Sequence, residues 1–235
     1  MKHIHFKEID STNTYLINNY LNIDNMTAVS TDYQREGMGR MKRVWYGDSN
    51  SIMCSILIKE NLNKIDISII PLLIAKSLHQ VLSAYKSDIK IKWPNDLLIQ
   101  SRKLSGILVK SIIISSEVKA LVIGFGININ NKDFNKEISD IATSLFLETN
   151  NIFDKEKILK QILTKIENDL KQINNKEIID YCNKYSCLIG KKVTFSKDNE
   201  TIIAEVLKID DSGHLLVRNE TNIISLNSGE ITLLK

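Results

Sequence analysis

The sequence predicts an α+β fold: a β-sheet packed with helices over residues 1–185, then a small β-barrel over residues 186–235. Three observations carry this expectation. Strand-like runs are interspersed with amphipathic helical runs as far as Tyr185. From Leu188 onward, four or five short β segments follow one another with no clear helix. The length of 235 residues suits one sizeable domain plus a small one.

Each element has its own reason. His3–Ile9 alternates polar and apolar and reads as a strand. Asp10-Ser11-Thr12-Asn13 supplies N-cap candidates for a helix through about Leu21, with Tyr15, Leu16 and Tyr20 inward. Thr27–Thr31 reads as a strand. Asp32–Gly47 has three glycines and no periodicity, so a long and therefore functional or disordered loop is expected. Ser51–Lys59 is a strand. Ile67–Ser83 is a helix with Pro71 in its first turn, where a missing N–H costs little. Ile89–Trp93 and Asp96–Gln100 are short strands around Pro94-Asn95, and Gln100–Lys103 is a polar turn. Leu104–Ser115 and Ala120–Asn128 are longer strands rich in Ile, Leu and Val. Ile158, Leu159, Ile162, Leu163, Ile166 and Leu170 stand at helical spacing in Asp154–Ile173, and Lys176–Tyr185 forms a second helix. In the tail, turns fall at 197–200, Asp210–Gly213 and 219–222.

Composition excludes several classes. Apolar residues at 43% and charged residues at 25% are ordinary for a globular chain, not a fibrous or disordered one. The best apolar stretch, Ile67–Ala75, is short of the ~18 residues that span a bilayer and contains Pro71. His3, His5, Lys7, Glu8 and Asp10 leave no apolar centre for a signal peptide. Cys54, Cys182 and Cys187 are odd in number and lack metal-ligand spacing, so reduced thiols and a cytoplasmic location are expected. A net charge of +3 is too balanced for a dedicated nucleic-acid or membrane-surface protein. Ile, Lys and Asn make up 87 of the 235 residues; AT-rich coding explains that abundance, so it carries no functional meaning. Scarce residues that cluster are then informative. Arginine occurs five times, and Arg35, Arg40 and Arg43 fall within nine residues, beside Gly37 and Gly39.

Four segments carry chemistry. In Tyr33–Trp45, the glycines allow close approach to main-chain N–H groups, the arginines offer bidentate charge, and Trp45 offers a ring for stacking. No Gly-Lys-Ser/Thr follows, so this is no nucleotide P-loop; the bland alternative is a solvated basic loop. In Lys90–Asp96 and Arg102–Leu108, lysines sit near strand ends, where they either face a ligand or snorkel to water. Trp93 alone reads as core, and Asp96 alone as a turn residue. In Gly124–Asn130, two glycines suggest close backbone approach or a bulge, and Asn128 either reads an adenine edge or caps a turn. Ser11-Thr12-Asn13 reads by default as a helix cap.

Each piece is weak alone, but their order is specific. Ser-Thr-Asn, then Gln34-x-x-Gly-x-Gly-Arg with Trp45, then Lys92-Trp93-Pro94-Asn95-Asp96, then Lys103-Leu104-Ser105-Gly106-Ile107-Leu108, then Gly124-x-Gly-Ile-Asn resembles the biotin protein ligases from Ile9 to about Asn130. In the tail, Gly190-Lys191-Lys192-Val193 and Gly229-Glu230-Ile231 resemble that family's C-terminal barrel. The resemblance implies a class II synthetase-like biotin/lipoate ligase fold, with a central mixed sheet and an SH3-like barrel. It also implies the chemistry. ATP activates biotin as biotinyl-5′-AMP, releasing diphosphate; a lysine of a biotin carboxyl carrier domain of a biotin-dependent carboxylase then attacks, releasing AMP. By resemblance, Lys103 and Arg40 are the catalytic charges. Biotin is held by Ser11, Thr12, Asn13, Gln34, Gly37, Met38, Gly39, Arg40, Lys103, Gly106 and Gly126. ATP or the adenylate is held by Arg40, Arg43, Trp45, Lys92, Asn95, Asp96 and Asn128. Mg²⁺ accompanies ATP, with Asp96 the candidate position near it.

The family loop reads close to Gly-Arg-Gly-Arg-Arg-Gly; Met38, Met41 and Lys42 depart from it. Ten residues precede Ser11, too few for a helix-turn-helix, so the monofunctional type without DNA binding is expected. Lipoate–protein ligase or octanoyltransferase shares the fold and is the near alternative. A non-catalytic RNA-binding module is the remote one; residues 186–235 carry six basic and seven acidic side chains, which argues against it. The oligomeric state, monomer or homodimer, stays open.

Overall fold

The computed structural model describes residues 1–197, 200–220, 222–229 and 231–234. In chain order it runs β1 (Lys2–Ile9), α1 (Thr12–Asn19), β2 (Thr27–Gln34), β3 (Ser51–Ile58), α2 (Ile70–Leu82), β4 (Lys90–Lys92), β5 (Asp96–Ile99), β6 (Arg102–Ile114), β7 (Glu117–Asn128), α3 (Leu145–Thr149), α4 (Lys155–Lys171), α5 (Asn175–Tyr185), β8 (Lys192–Lys197), β9 (Glu200–Ile209), β10 (Leu215–Asn219), β11 (Asn222–Leu226) and β12 (Thr232–Leu233). The first seven strands form one mixed sheet in the order β1-β2-β3-β7-β6-β5-β4, with β1 and β2 parallel and the other pairs antiparallel. The last five form an antiparallel sheet in the order β11-β10-β9-β8-β12.

Strand alternation sorts the sheet into two faces. From β3, Ile52, Cys54, Ile56 and Ile58 join the main core, as do Leu121, Ile123, Phe125 and Ile127 from β7. Helices α2, α4 and α5 cover that face, and α2 is buried nearly all round, Lys76, Ser77 and His79 included, because α4 and α5 pack on it in turn. The opposite face has a smaller cluster of Leu16, Val29, Leu57, Ala120 and Val122 under α1. Each fully buried Leu or Ile contributes roughly 1.5–3 kcal/mol. The small face buries few of them, which leaves part of it for a cavity.

Several boundaries differ from expectation. β2 runs on to Gln34 because Tyr33 and Gln34 pair with Glu8 and Ile9, which shortens the expected loop. α1 stops at Asn19, and Leu21 is exposed. α2 begins at Ile70, with Pro71 in its first turn. α3 was not expected, since five residues are too few to show a period; Ser144 caps it by accepting from the Leu147 N–H at 3.0 Å. The turn at Asp210–Gly213 forms, with the Gly213 N–H donating to the Asp210 carbonyl at 2.9 Å. Residues 198, 199 and 221, in the turns expected at 197–200 and 219–222, and Glu230 of the Gly-Glu-Ile motif lie outside the described residues.

The α2–α5 seam holds a titratable group. His79 is buried and lies 3.0 Å through Nε2 from the Ile89 carbonyl and 2.8 Å through Nδ1 from the Tyr181 hydroxyl. A carbonyl only accepts, so Nε2 carries the proton and Nδ1 accepts from Tyr181. Burial pushes the His79 pKa below its ordinary value of 6.5. As pH falls through that value the unfolded chain takes up a proton that the folded chain refuses. Stability is therefore held above pH 6.5 and lost as pH drops toward the folded pKa. Thermal unfolding should show a lower Tm on the acid side of this window. His79→Gln should flatten that slope, and an unchanged slope in the variant would assign it elsewhere, His3 being shifted in the same direction.

Candidate active site

The floor of the site is a row across four strands. Met53 of β3 pairs with Gly126 of β7, Gly126 with Gly106 of β6, and Gly106 with Asp96 of β5. The two central glycines leave a trough in the face not covered by α2. The Trp45 indole lies in it: a Cβ on Gly126 would stand 2.3 Å from Trp45 Cε2. A Cβ on Gly106 would stand 2.9 Å from Lys103 Cε. In the next row Ser55 pairs with Gly124, and a Cβ there would meet the Asn13 amide at 2.1 Å. Bare backbone at these three positions makes room for side chains and ligand over the sheet. The cavity above has a volume of about 350 Å³.

One end of the cavity is polar and uncharged. Ser11 caps α1, accepting from the Thr14 N–H at 3.4 Å. The Thr12 N–H and hydroxyl both donate to Gln34 Oε1, at 2.8 and 3.1 Å. Because a backbone N–H can only donate, the Gln34 oxygen faces Thr12, and its NH₂ points away as a donor. Ser55 Oγ lies 2.7 Å from Thr12 Oγ1, and the Thr12 proton is committed to Gln34, so Ser55 is the donor of that pair. Asn13 Oδ1 is buried with no hydrogen-bond partner among the described residues.

The other end is cationic. The segment Gly37–Trp45 folds back on itself, with the Trp45 N–H donating to the Gly37 carbonyl at 2.9 Å and the Gly39 N–H to the Arg43 carbonyl at 2.7 Å. At its tip, Met41 and Lys42 have φ of +52° and +59°. Arg40 reaches from this tip to Asn95 and to the Gly229 carbonyl. Across the trough, Lys103 Nζ is 2.8 Å from Asp96 Oδ1 and 5.9 Å from the centroid of the Trp45 ring. The Lys103 backbone is held on both sides by 129–144, its N–H donating to the Ile141 carbonyl and its carbonyl accepting from the Thr143 N–H. Arg102, donating to Glu148 of α3 at 2.7 Å, ties that segment down. Asn128 is buried and donates to the Thr143 carbonyl at 2.9 Å, leaving Oδ1 without a partner among the described residues.

Ser11, Thr12, Asn13, Gln34, Met38, Gly39, Arg40, Arg43, Trp45, Lys92, Asn95, Asp96, Lys103, Gly106, Gly126 and Asn128 all line this one cavity. Gly37 stands behind the wall instead. A Cβ there would lie 2.7 Å from the Trp45 carbonyl oxygen, so its contribution is to let the two limbs of the loop close. Arg35, which the arginine clustering had drawn in, turns away to Glu8 and Asp10 at 2.8 and 2.7 Å. Sequence reasoning missed Ile138, Ile141 and Ala142, and also Gly229, Ile231 and Thr232, which close the cavity from distant parts of the chain. Gly229 and Ile231 had been noticed only as part of a barrel motif. Cys54 also lines the cavity; burial pushes its thiol pKa up, and all three cysteines are unpaired.

The chain matches the family model "Biotin/lipoate A/B protein ligase family" over residues 5–128 and "Biotin protein ligase C terminal domain" over residues 188–234. It is 32% identical over 214 residues to the bifunctional ligase/repressor BirA of Bacillus subtilis, covering 88% of this chain and 66% of that one. BirA of Escherichia coli is 26% identical over 230 residues, covering 96% and 72%. The chain thus spans about two thirds of the length of the curated Bacillus relatives it matches. Among solved structures, the biotin protein ligase from Aquifex aeolicus in complex with biotin and ATP superimposes with a TM-score of 0.87 at 28% identity, covering 100% of this chain and 99% of that one. With the first family model spanning more than half of its length, and the row of motifs from Ser11 to Asn128 gathered on one cavity, the chain belongs to the biotin/lipoate A/B protein ligase family.

Proposed function

We propose that this chain is a biotin protein ligase: it joins biotin to AMP using ATP, then passes the biotinyl group to a lysine of a biotin carboxyl carrier domain. The observation that carries this reading is the polarity of the cavity. Ser11, Thr12, Asn13 and Gln34 form a neutral end that suits a ureido ring, whose carbonyl accepts and whose N–H groups donate. Arg40, Lys92 and Lys103 form a cationic end that suits a carboxylate meeting a phosphate. A lipoyl or octanoyl tail would leave the neutral end unmatched, which costs affinity for such a ligand.

In the first step a carboxylate oxygen of biotin attacks the α-phosphorus, forming the P–O bond as the bond to diphosphate breaks. In the second, the carrier amine attacks the acyl carbon, loses a proton, and expels AMP. Lys103 and Arg40 stabilise the charge that builds on the oxygens between carboxylate and phosphorus. Gly37–Trp45 covers the mixed anhydride and keeps water from it. Asp96 is a fitting carboxylate for Mg²⁺ arriving with ATP phosphates, since Mg²⁺ commonly takes one or two carboxylates and fills its shell with phosphate and water. Such an ion would neutralise phosphate charge. Among the described residues no group of three or more His, Cys, Asp or Glu stands ready as an all-protein cage.

We further read residues 1–185 as the catalytic unit and 186–235 as the C-terminal unit, with the second contributing one wall. No helix among the described residues is long and apolar enough to cross a membrane, and with three free thiols the proposed setting is the cytoplasm. Biotin-dependent ATP–pyrophosphate exchange tests the reading. Exchange should require biotin and fail with lipoate; exchange with lipoate alone would move the chain to the lipoate branch of the family. A second outcome concerns the loop, whose Arg40, Lys42 and Arg43 are tryptic sites. Cleavage there should slow when biotin and ATP are added together. Equal rates with and without both ligands would show that the loop is either permanently ordered or uninvolved, and would overturn its ordering on binding.

A further inference from the structure

The Arg40 guanidinium ends between two neutral acceptors. Nη1 donates to Asn95 Oδ1 at 2.9 Å, and Nη2 donates to the Gly229 carbonyl at 3.3 Å. The first acceptor cannot turn. Asn95 Nδ2 donates to the Ile107 carbonyl at 2.7 Å, and the Ile107 N–H donates to the Asn95 carbonyl at 2.9 Å. A carbonyl only accepts, so the Asn95 amide nitrogen must face Ile107 and its oxygen must face Arg40. Flipping the amide would set donor against donor at the guanidinium and acceptor against acceptor at Ile107. Ile107 follows Gly106, the last β6 residue paired with β5, so its outward groups would otherwise lack a strand partner. Asn95 takes both of them and is locked by the sheet.

We propose that Asn95 is a positioning residue for Arg40, in place of the direct nucleotide contact that the resemblance implies. Its amide oxygen accepts from the guanidinium and holds it at the cavity wall. Asp96, one residue on, is a carboxylate and is instead paired with Lys103. This assignment rests on the reading of Arg40 as a charge that acts in adenylation.

A double-mutant cycle in biotin-dependent pyrophosphate exchange tests it. Asn95→Ala should lower kcat/KM about tenfold, the scale of one lost hydrogen bond to a charged group. In an Arg40→Ala background the same change should cost less than about twofold, because the two residues act as one unit. Equal losses in both backgrounds would show that Asn95 works independently of Arg40 and would overturn the proposal. A second measurement does not depend on activity. In the ligand-free chain, Asn95→Ala should speed tryptic cleavage after Arg40 several-fold, because a held guanidinium must be released to enter the protease. Cleavage after Arg35, held by Glu8 and Asp10, should not change. An unchanged rate at Arg40, or equal acceleration at both sites, overturns the proposal. If the unmodified chain shows no biotin-dependent exchange, the functional reading fails while the tryptic arm still decides what Asn95 does.

Discussion

Replacing Lys103 by alanine should slow biotin adenylation on the order of 100-fold or more while the fold persists. The ammonium stands over the glycine floor, 2.8 Å from Asp96 and facing the Trp45 ring, and its backbone is fixed by Ile141 and Thr143. Its position is therefore set before any ligand arrives, and a charge already in place costs no reorganisation when negative charge develops. Removing one such group typically costs about 3–4 kcal/mol in the transition state. The stability cost should be small. The Lys103 side chain is 37% exposed, and a partly exposed ion pair contributes about 0–1 kcal/mol. Single-turnover formation of biotinyl-5′-AMP, measured beside thermal unfolding, separates the two effects. Near-normal adenylation by Lys103→Ala would remove Lys103 from the role assigned to it.

Gly126→Val should abolish productive binding of biotin and ATP while leaving the sheet formed. The added Cβ would sit 2.3–2.7 Å from three atoms of the Trp45 indole, far inside contact distance. Gly126 is flanked by β3 and β6, so its backbone has nowhere to go, and the indole must leave the trough. Trp45 closes the Gly37–Trp45 loop through its own N–H, so displacing the ring disturbs the loop that carries Arg40. Valine is favourable in strands, which offsets part of an overpacking cost of roughly 1–3 kcal/mol. Gly106→Ala makes a graded comparison, since its Cβ would meet the flexible end of Lys103 at 2.9 Å and that end can shift. Ligand affinities from calorimetry should fall steeply for Gly126→Val and mildly for Gly106→Ala. Unaltered affinity in the valine variant would show that the trough over Gly126 is not used.

The strands and the long helices were legible because their patterns repeat. β3 and, from Ala120 onward, β7 are buried on both faces and read as mostly apolar runs, and α4 shows five buried residues at helical spacing. Most of the lining residues were legible because the order of their motifs along the chain resembles one family, although each motif is weak alone. What stayed hidden depends on direction or on distance along the chain. Arg35 and Arg40 look alike in sequence, yet Arg35 extends β2 toward Glu8 and Asp10, and Arg40 sits on a tight turn facing Asn95. Ile138, Ile141 and Ala142 lie in a segment with no period, anchored by hydrogen bonds to Lys103 and Asn128 and by α3. The Arg40–Gly229 contact joins residues 189 positions apart, and no local pattern announces such a meeting.

The row Met53–Gly126–Gly106–Asp96 makes strand register a functional quantity. Side chains alternate with a period of two, so sliding β6 or β7 by one residue would exchange the faces of every residue on it. Ile107, Phe125 and Ile127, now in the core, would then fill the trough, and the glycines would open holes under α2. The β6–β7 ladder already carries one irregularity, between Ile112 and Ile113, at the end remote from the glycines. An insertion absorbed there would leave the cavity whole. One absorbed near Gly106 would produce a chain that still pairs its strands but has lost its binding site.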